Sequence, residues 1–232
     1  MNDLLEGLRQ ALHLLLAGDP ATRAIVVLSL YVSGAALGLS ALLGLPLGAL
    51  LALRRFWGQR LLVALVYTGM GLPPVVVGLF VYMLLSRSGP LGELGWLFTP
   101  RAMILAQTVI SAPVVAGLTM AAIQGVDPAL RVQLRALGAS PAQVTNALLW
   151  EARGGVLVAL IAGFGAIISE VGAVMLVGGN IAGATRVLTT AIVLETRKGA
   201  FDLALALAFV LLAITFVINA AALLLQQRLV RR

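Results

Sequence analysis

Five long apolar runs, separated by short polar stretches, make up most of this chain; they cover roughly residues 24–53, 61–85, 103–123, 154–177 and 201–225. A helix needs about 20 apolar residues to cross the hydrocarbon core of a bilayer, so each run predicts one membrane-spanning helix. Upstream, Leu4, Leu5, Leu8, Leu12 and Leu15 recur among Glu6, Arg9 and His13, a spacing that suits an amphipathic helix lying in the interface. Gly18-Asp19-Pro20 then breaks it. A sixth span over the same residues is the competing reading, and its ionisable side chains argue against it because charge at depth is costly. The expected organisation is an interfacial helix over 1–23 and an all-α transmembrane domain over 24–232.

The most polar interior stretch, residues 124–153, interrupts this pattern between the third and fourth runs. Asp127 is a good helix N-cap and Pro128 suits the first helical position. Leu130, Leu134 and Leu137 then fall at i, i+4 and i+7, which predicts one apolar face. Gly138 stands where a helix ends and a left-handed residue is needed. Ser140, Pro141 and Gln143 form a capping-box sequence that starts a second helix. Two short helices joined at Gly138 are therefore expected at one bilayer face. Either they lie on lipid headgroups or they are offered to a partner in the water.

Composition narrows the class. The chain of 232 residues is 61% hydrophobic and 11% charged, with a mean hydropathy of +1.06, which marks an integral membrane protein. Without cysteine there is no disulfide framework or thiolate site, and one histidine excludes an HExxH zinc helix. The net charge of +7 is read as charged loops at a membrane face, with no nucleic-acid partner. Nine of the 16 basic residues (Arg54, Arg55, Arg60, Arg131, Arg135, Arg153, Arg228, Arg231 and Arg232) fall on the side of the insert. By the positive-inside rule that side is cytoplasmic, the C-terminus with it, and the N-terminus lies outside. No cleaved signal peptide is read at the start of the chain.

Leu137-Gly138-Ala139-Ser140-Pro141 resembles the cytoplasmic coupling loop of ABC transporter permeases. Gly138 and Leu148 keep that family's pattern; Val132-Gln133-Leu134 and Trp150-Glu151 depart from its Glu-Ala-Ala and Leu-Pro elements. Further on, Glu151-Ala152-Arg153, Ser169-Glu170-Val171-Gly172, Gly178-Gly179-Asn180-Ile181 and Thr189-Thr190-Ala191-Ile192 resemble the oxyanion importers of this family, the tungstate permeases foremost. Gly71-Leu72-Pro73-Pro74 and Ser86-Arg87-Ser88-Gly89-Pro90 fit the same pattern.

The resemblance implies a type I-like permease in a bacterial or archaeal plasma membrane, working as a homodimer. It implies cytoplasmic ATPase subunits that bind ATP and Mg, and an extracytoplasmic binding protein that delivers the anion. Tungstate is the favoured cargo, with molybdate or sulfate as alternatives. It also implies a docking surface over residues 130–147, with Leu130, Arg131, Leu134, Arg135, Leu137, Gly138, Ala139 and Ser140 as its coupling residues. Arg131 and Arg135 either pair with acids on the ATPase or simply mark the cytoplasmic side. A secondary carrier or an intramembrane enzyme is the reading from another class; no internal repeat or catalytic set supports either.

Other positions carry candidate chemistry. The run from Gly178 to Thr185 has glycine spacing like a phosphate-binding loop but lacks its lysine, so no ATPase site or cofactor is expected within this chain. Gly71, Pro73 and Pro74 interrupt the second run, which predicts a bend that either lines a path near a gate or is a packing kink. Ser111-Ala112-Pro113 is a weaker copy of that signal. Glu170 is the only acid deep in a run, so it should face a partner or cavity; a structural or gating role is preferred, because a carboxylate in an anion's path repels the cargo. Gly44, Gly48, Gly163, Gly165 and Gly172 are read as points of close helix approach. Arg87, Arg101, Arg186, Arg197 and Lys198, interspersed with acids, are read as a mixed solvated face on the outer side.

Overall fold

The computed structural model describes residues 19–230, so the expected helix over residues 4–16 lies outside the described residues. Asp19 starts the first helix: its carboxylate accepts from the Thr22 hydroxyl at 2.7 Å and the Thr22 amide at 2.8 Å. These bonds, the hydroxyl first, hold its pKa below the usual carboxylate value. Helix α1 then runs over Pro20–Leu53. At 1.5 Å per residue its 34 residues span about 51 Å, more than the ~30 Å hydrocarbon core requires.

The second run is broken, as Gly71-Leu72-Pro73-Pro74 predicts. Helices α2 (Gln59–Met70) and α3 (Pro74–Leu85) meet at 103°. Pro73 takes an extended conformation, φ −61° and ψ 122°, which the following proline favours, and Pro74 opens α3. Helix α4 (Pro100–Gln124) passes unbroken through Pro113, so that proline does not repeat the break. The insert forms α5 (Pro128–Ala136) and α6 (Pro141–Glu151), and α6 turns through 70° into α7 (Arg153–Ile168).

The fourth run departs from expectation. A single helix over 154–177 is replaced by α7, a break at residues 169–171, and α8 (Gly172–Gly178). Local polar chemistry accounts for the break. The Ser169 hydroxyl donates back to the Gly165 carbonyl at 2.8 Å, and the Glu170 carboxylate accepts from the Ala173 amide at 2.9 Å. A further short helix, α9 (Leu188–Arg197), precedes α10 (Phe201–Val230). No strand occurs among the described residues. Among the described residues three helices are long and apolar enough to cross a membrane, or up to five if each bent pair, α2 with α3 and α6 with α7, is one span.

Helix α1 lies along α4, and small residues set the distance. A Cβ on Gly44 would stand 2.9 Å from Val115, and one on Gly48 would stand 2.5 Å from the Ala116 carbonyl oxygen and 2.8 Å from Thr119. Gly163 brings α7 onto the same helix, because its Cβ would stand 2.8 Å from both Ser111 and Val115. A Cβ on Gly172 would stand 2.5 Å from the Val75 side chain of α3. Gly165 does not belong to this set: it is half-buried, but nothing lies within 4 Å of a Cβ added there. Val32, Val81, Met103, Ala106, Ile167 and Val174 fill the main core, all nearly or fully buried.

Gly48→Val is therefore expected to lower the stability of the folded helix bundle by about 1–3 kcal/mol, the usual range for overpacking. Gly165→Ala is expected to be neutral or slightly stabilising. Thermal unfolding of the two purified variants in detergent checks the contrast.

Candidate functional site

The insert is built by its caps. The Asp127 carboxylate accepts from the Ala129 amide at 2.8 Å and opens α5. Gly138 adopts φ +80°. The Gly138 amide donates to the Arg135 carbonyl and the Ala139 amide to the Leu134 carbonyl, each at 3.0 Å, which is the Schellman closure of a helix. Ser140 and Gln143 form the reciprocal capping box, at 2.7 and 3.3 Å. Two turns of chain thus close within five residues and fold α6 back under α5.

One face of this hairpin is anchored. Leu130, Leu134 and Ala139 pack on a cluster of Ala49, Ile123, Val144, Leu148 and Ala152, which ties the insert to the ends of α1, α4 and α7. Arg131 adds a polar clamp: its Nη2 donates to the Leu53 carbonyl, the last residue of α1, at 2.7 Å. Leu137 does not share that face. It is 84% exposed, because α5 ends at Ala136 and the chain turns away from the cluster at that point. Val132 is 67% exposed on the same hairpin. Arg135, Gly138 and Ser140 are also exposed. The insert therefore presents an apolar tip on a fixed mount.

The expected gate residues form a second group, away from the insert. Gly71 and Pro73 are exposed and Pro74 is half-buried at the bend. Val75, in the first turn of α3, abuts Gly172, and Gly172 follows the break that Glu170 caps. The bend and the break are thus brought together. Glu170 also holds a third element, because its backbone carbonyl accepts from the Thr189 hydroxyl of α9 at 2.9 Å. Its carboxylate serves as a helix cap.

Residues 44–232 match the family model described as "Binding-protein-dependent transport system inner membrane component". The chain belongs to that family. It is 40% identical over 227 residues to the tungstate uptake system permease protein TupB of Peptoclostridium acidaminophilum, covering 98% of this chain and all of that one. It is 46% identical over 201 residues to a probable anion ABC transporter permease protein of Haloferax volcanii, covering 84% and 87%. Among solved structures, it superposes on a chain of the MetNI methionine ABC transporter in an inward-facing conformation, with a TM-score of 0.76. That match has 20% identity and covers 91% of this chain and 98% of the other, and it shows the shared helical fold.

Several residues that position these groups in the permease escape a reading of the sequence. Gln107 of α4 is 3% exposed, and its Nε2 donates to the Ile167 carbonyl at 2.9 Å, beside the break in the fourth run. The Ser29 hydroxyl of α1 accepts from the Leu188 amide at 2.8 Å and so receives the first turn of α9. A lone glutamine inside an apolar run was the available signal for the first; nothing local marks the second. At the far end from the insert, Arg186 is taken up by Asn180, donating to its side chain and carbonyl at 3.3 Å each. Lys198 pairs with Glu195 at 2.8 Å, and Arg101 stands 6.0 Å from the Trp96 ring centroid. Those three cations have local partners, as a mixed solvated face requires.

Gly138→Ala is expected to cost about 1–2 kcal/mol from the left-handed backbone, with no clash, since nothing lies within 4 Å. Ser140→Ala is expected to cost about 1 kcal/mol through the lost cap. Limited proteolysis of the insert in the two variants, compared with the parent, checks both: cleavage within 128–151 should accelerate while the spans stay protected.

Proposed function

We propose that this chain is the translocation subunit of an ATP-driven importer of oxyanions, with tungstate as its cargo. The observation that carries this reading is the insert: an apolar tip at Leu137 and Val132, held by Arg131 and Leu53 to the end of a span. An exposed apolar tip on a rigid mount suits a groove on a second protein. The identity to a tungstate permease over nearly the whole chain supports the cargo.

In this reading two copies form the path, each contributing its bend at Gly71, Pro73 and Pro74. ATPase subunits in the cytoplasm bind ATP with Mg and dock on residues 130–147. Their closure pushes the tip, and the clamp passes the displacement to α1 and α4. Glu170 caps the broken span that rocks, and its carboxylate is occupied by the Ala173 amide. A binding protein outside delivers the anion. The insert and the C-terminus face the cytoplasm and the N-terminus faces outward, in a multi-pass plasma-membrane protein surrounded by lipid.

Cells carrying this chain with its partners should accumulate labelled tungstate, and deletion of the chain should abolish the uptake. Molybdate or sulfate uptake with no tungstate uptake would overturn the cargo. Leu137→Asp should leave the chain folded, because the side chain is exposed, yet reduce ATPase co-purification and lower uptake by about tenfold or more, the equivalent of 1.4 kcal/mol at the docking surface. Unchanged co-purification and uptake would remove the insert from the docking surface.

A further inference from the structure

We propose that a pocket between the α1–α2 loop and the insert binds the phosphate of an anionic phospholipid headgroup. The pocket, about 270 Å³, is lined by Arg54 from the loop, Arg131 and Arg135 from α5, and Pro141 and Thr145 from the start of α6. No carboxylate lines it. Among the described residues, no acid pairs with any of the three arginines. Three guanidinium groups around one small space repel one another, and the positive end of α6 adds to the same field.

The protein leaves this charge unanswered. Arg131 spends Nη2 on the Leu53 carbonyl, and its buried Nε–H has no acceptor among the described residues. Buried donors are normally satisfied. Guanidinium groups supply the donors that a tetrahedral phosphate accepts from; the Thr145 hydroxyl is already donated to the Pro141 carbonyl at 2.9 Å.

The loop indicates where the phosphate comes from. Arg54 is followed by Arg55, Phe56 and Trp57, and Trp57 is 100% exposed at the end of a membrane span. Exposed tryptophan at that position is the mark of the bilayer interface, where its ring sits among the headgroups. The same loop therefore sets Arg54 at headgroup depth, where basic pockets between helices take anionic lipid. A bound headgroup would tie the loop to the insert beside the Arg131–Leu53 clamp, so lipid composition would tune how firmly the insert is held.

The test uses the permease with its co-purifying ATPase in nanodiscs of phosphatidylcholine, with phosphatidylglycerol titrated in. The thermal midpoint is followed as a function of phosphatidylglycerol fraction. The parent complex should be stabilised saturably. The double variant R54Q/R135Q, which keeps Arg131 on Leu53, should require roughly thirtyfold more of the lipid, from the loss of two arginines near the surface. R197Q, at the opposite end, should behave as the parent. An equal response of R54Q/R135Q and the parent overturns the proposal. So does full stabilisation by inorganic phosphate in phosphatidylcholine alone, which assigns the pocket to a free anion. Loss of the ATPase from R54Q/R135Q with no lipid effect in the parent also overturns it, and assigns the arginines to the partner protein.

Discussion

The close approach of α1 and α4 is the contact from which the rest of the bundle is built. Gly44 and Gly48 let α1 lie directly against Val115, Ala116 and Thr119, and Gly163 lets α7 join the same helix. Helices in lipid gain little from apolar burial, since the solvent is as apolar as they are, so association rests on close packing of small residues. The consequence is mechanical. The insert leaves from the end of α4 and is clamped to the end of α1, so both ends of the hairpin's mount belong to one seam.

Breaks in the surrounding helices are tolerated because each finds a local partner. Backbone groups in the bilayer must be satisfied within the protein. At the fourth span, Ser169, the Glu170 carboxylate, Gln107 and Thr189 each take up a group at or beside the interruption. The bend at Pro73 and Pro74 meets this break through Val75 and Gly172. This chain thus has one closely packed pair of helices and one jointed region, and among the described residues the jointed region carries the only acid deep within a span.

What was legible in the sequence follows from how local the physics is. The insert could be read almost residue by residue, because Asp127, Gly138, Ser140 and Gln143 act on neighbours within a few positions. The bend at Gly71–Pro74 was legible for the same reason. The break at Glu170 was hidden within an apolar run, where hydropathy measures length and not continuity, and the helix α9 fell between the fourth and fifth runs. Leu137 followed the helical period of Leu130 and Leu134, but the helix stops before the period can bury it. Gly165 resembled its neighbours, yet no atom stands within 4 Å of a Cβ added there, because a glycine's role depends on what stands opposite. The clamp from Arg131 to Leu53 joins residues 78 positions apart, and no local signal carries such a pairing.

The central claim is that force at the insert reaches the α1–α4 seam through that clamp. The direct test is the ratio of anion transported to ATP hydrolysed in proteoliposomes containing Arg131→Met, which removes the bond to Leu53 and leaves the Leu137 tip in place. The account expects the ATPase to remain bound and active while the ratio falls well below that of the parent. A ratio equal to the parent's would contradict it.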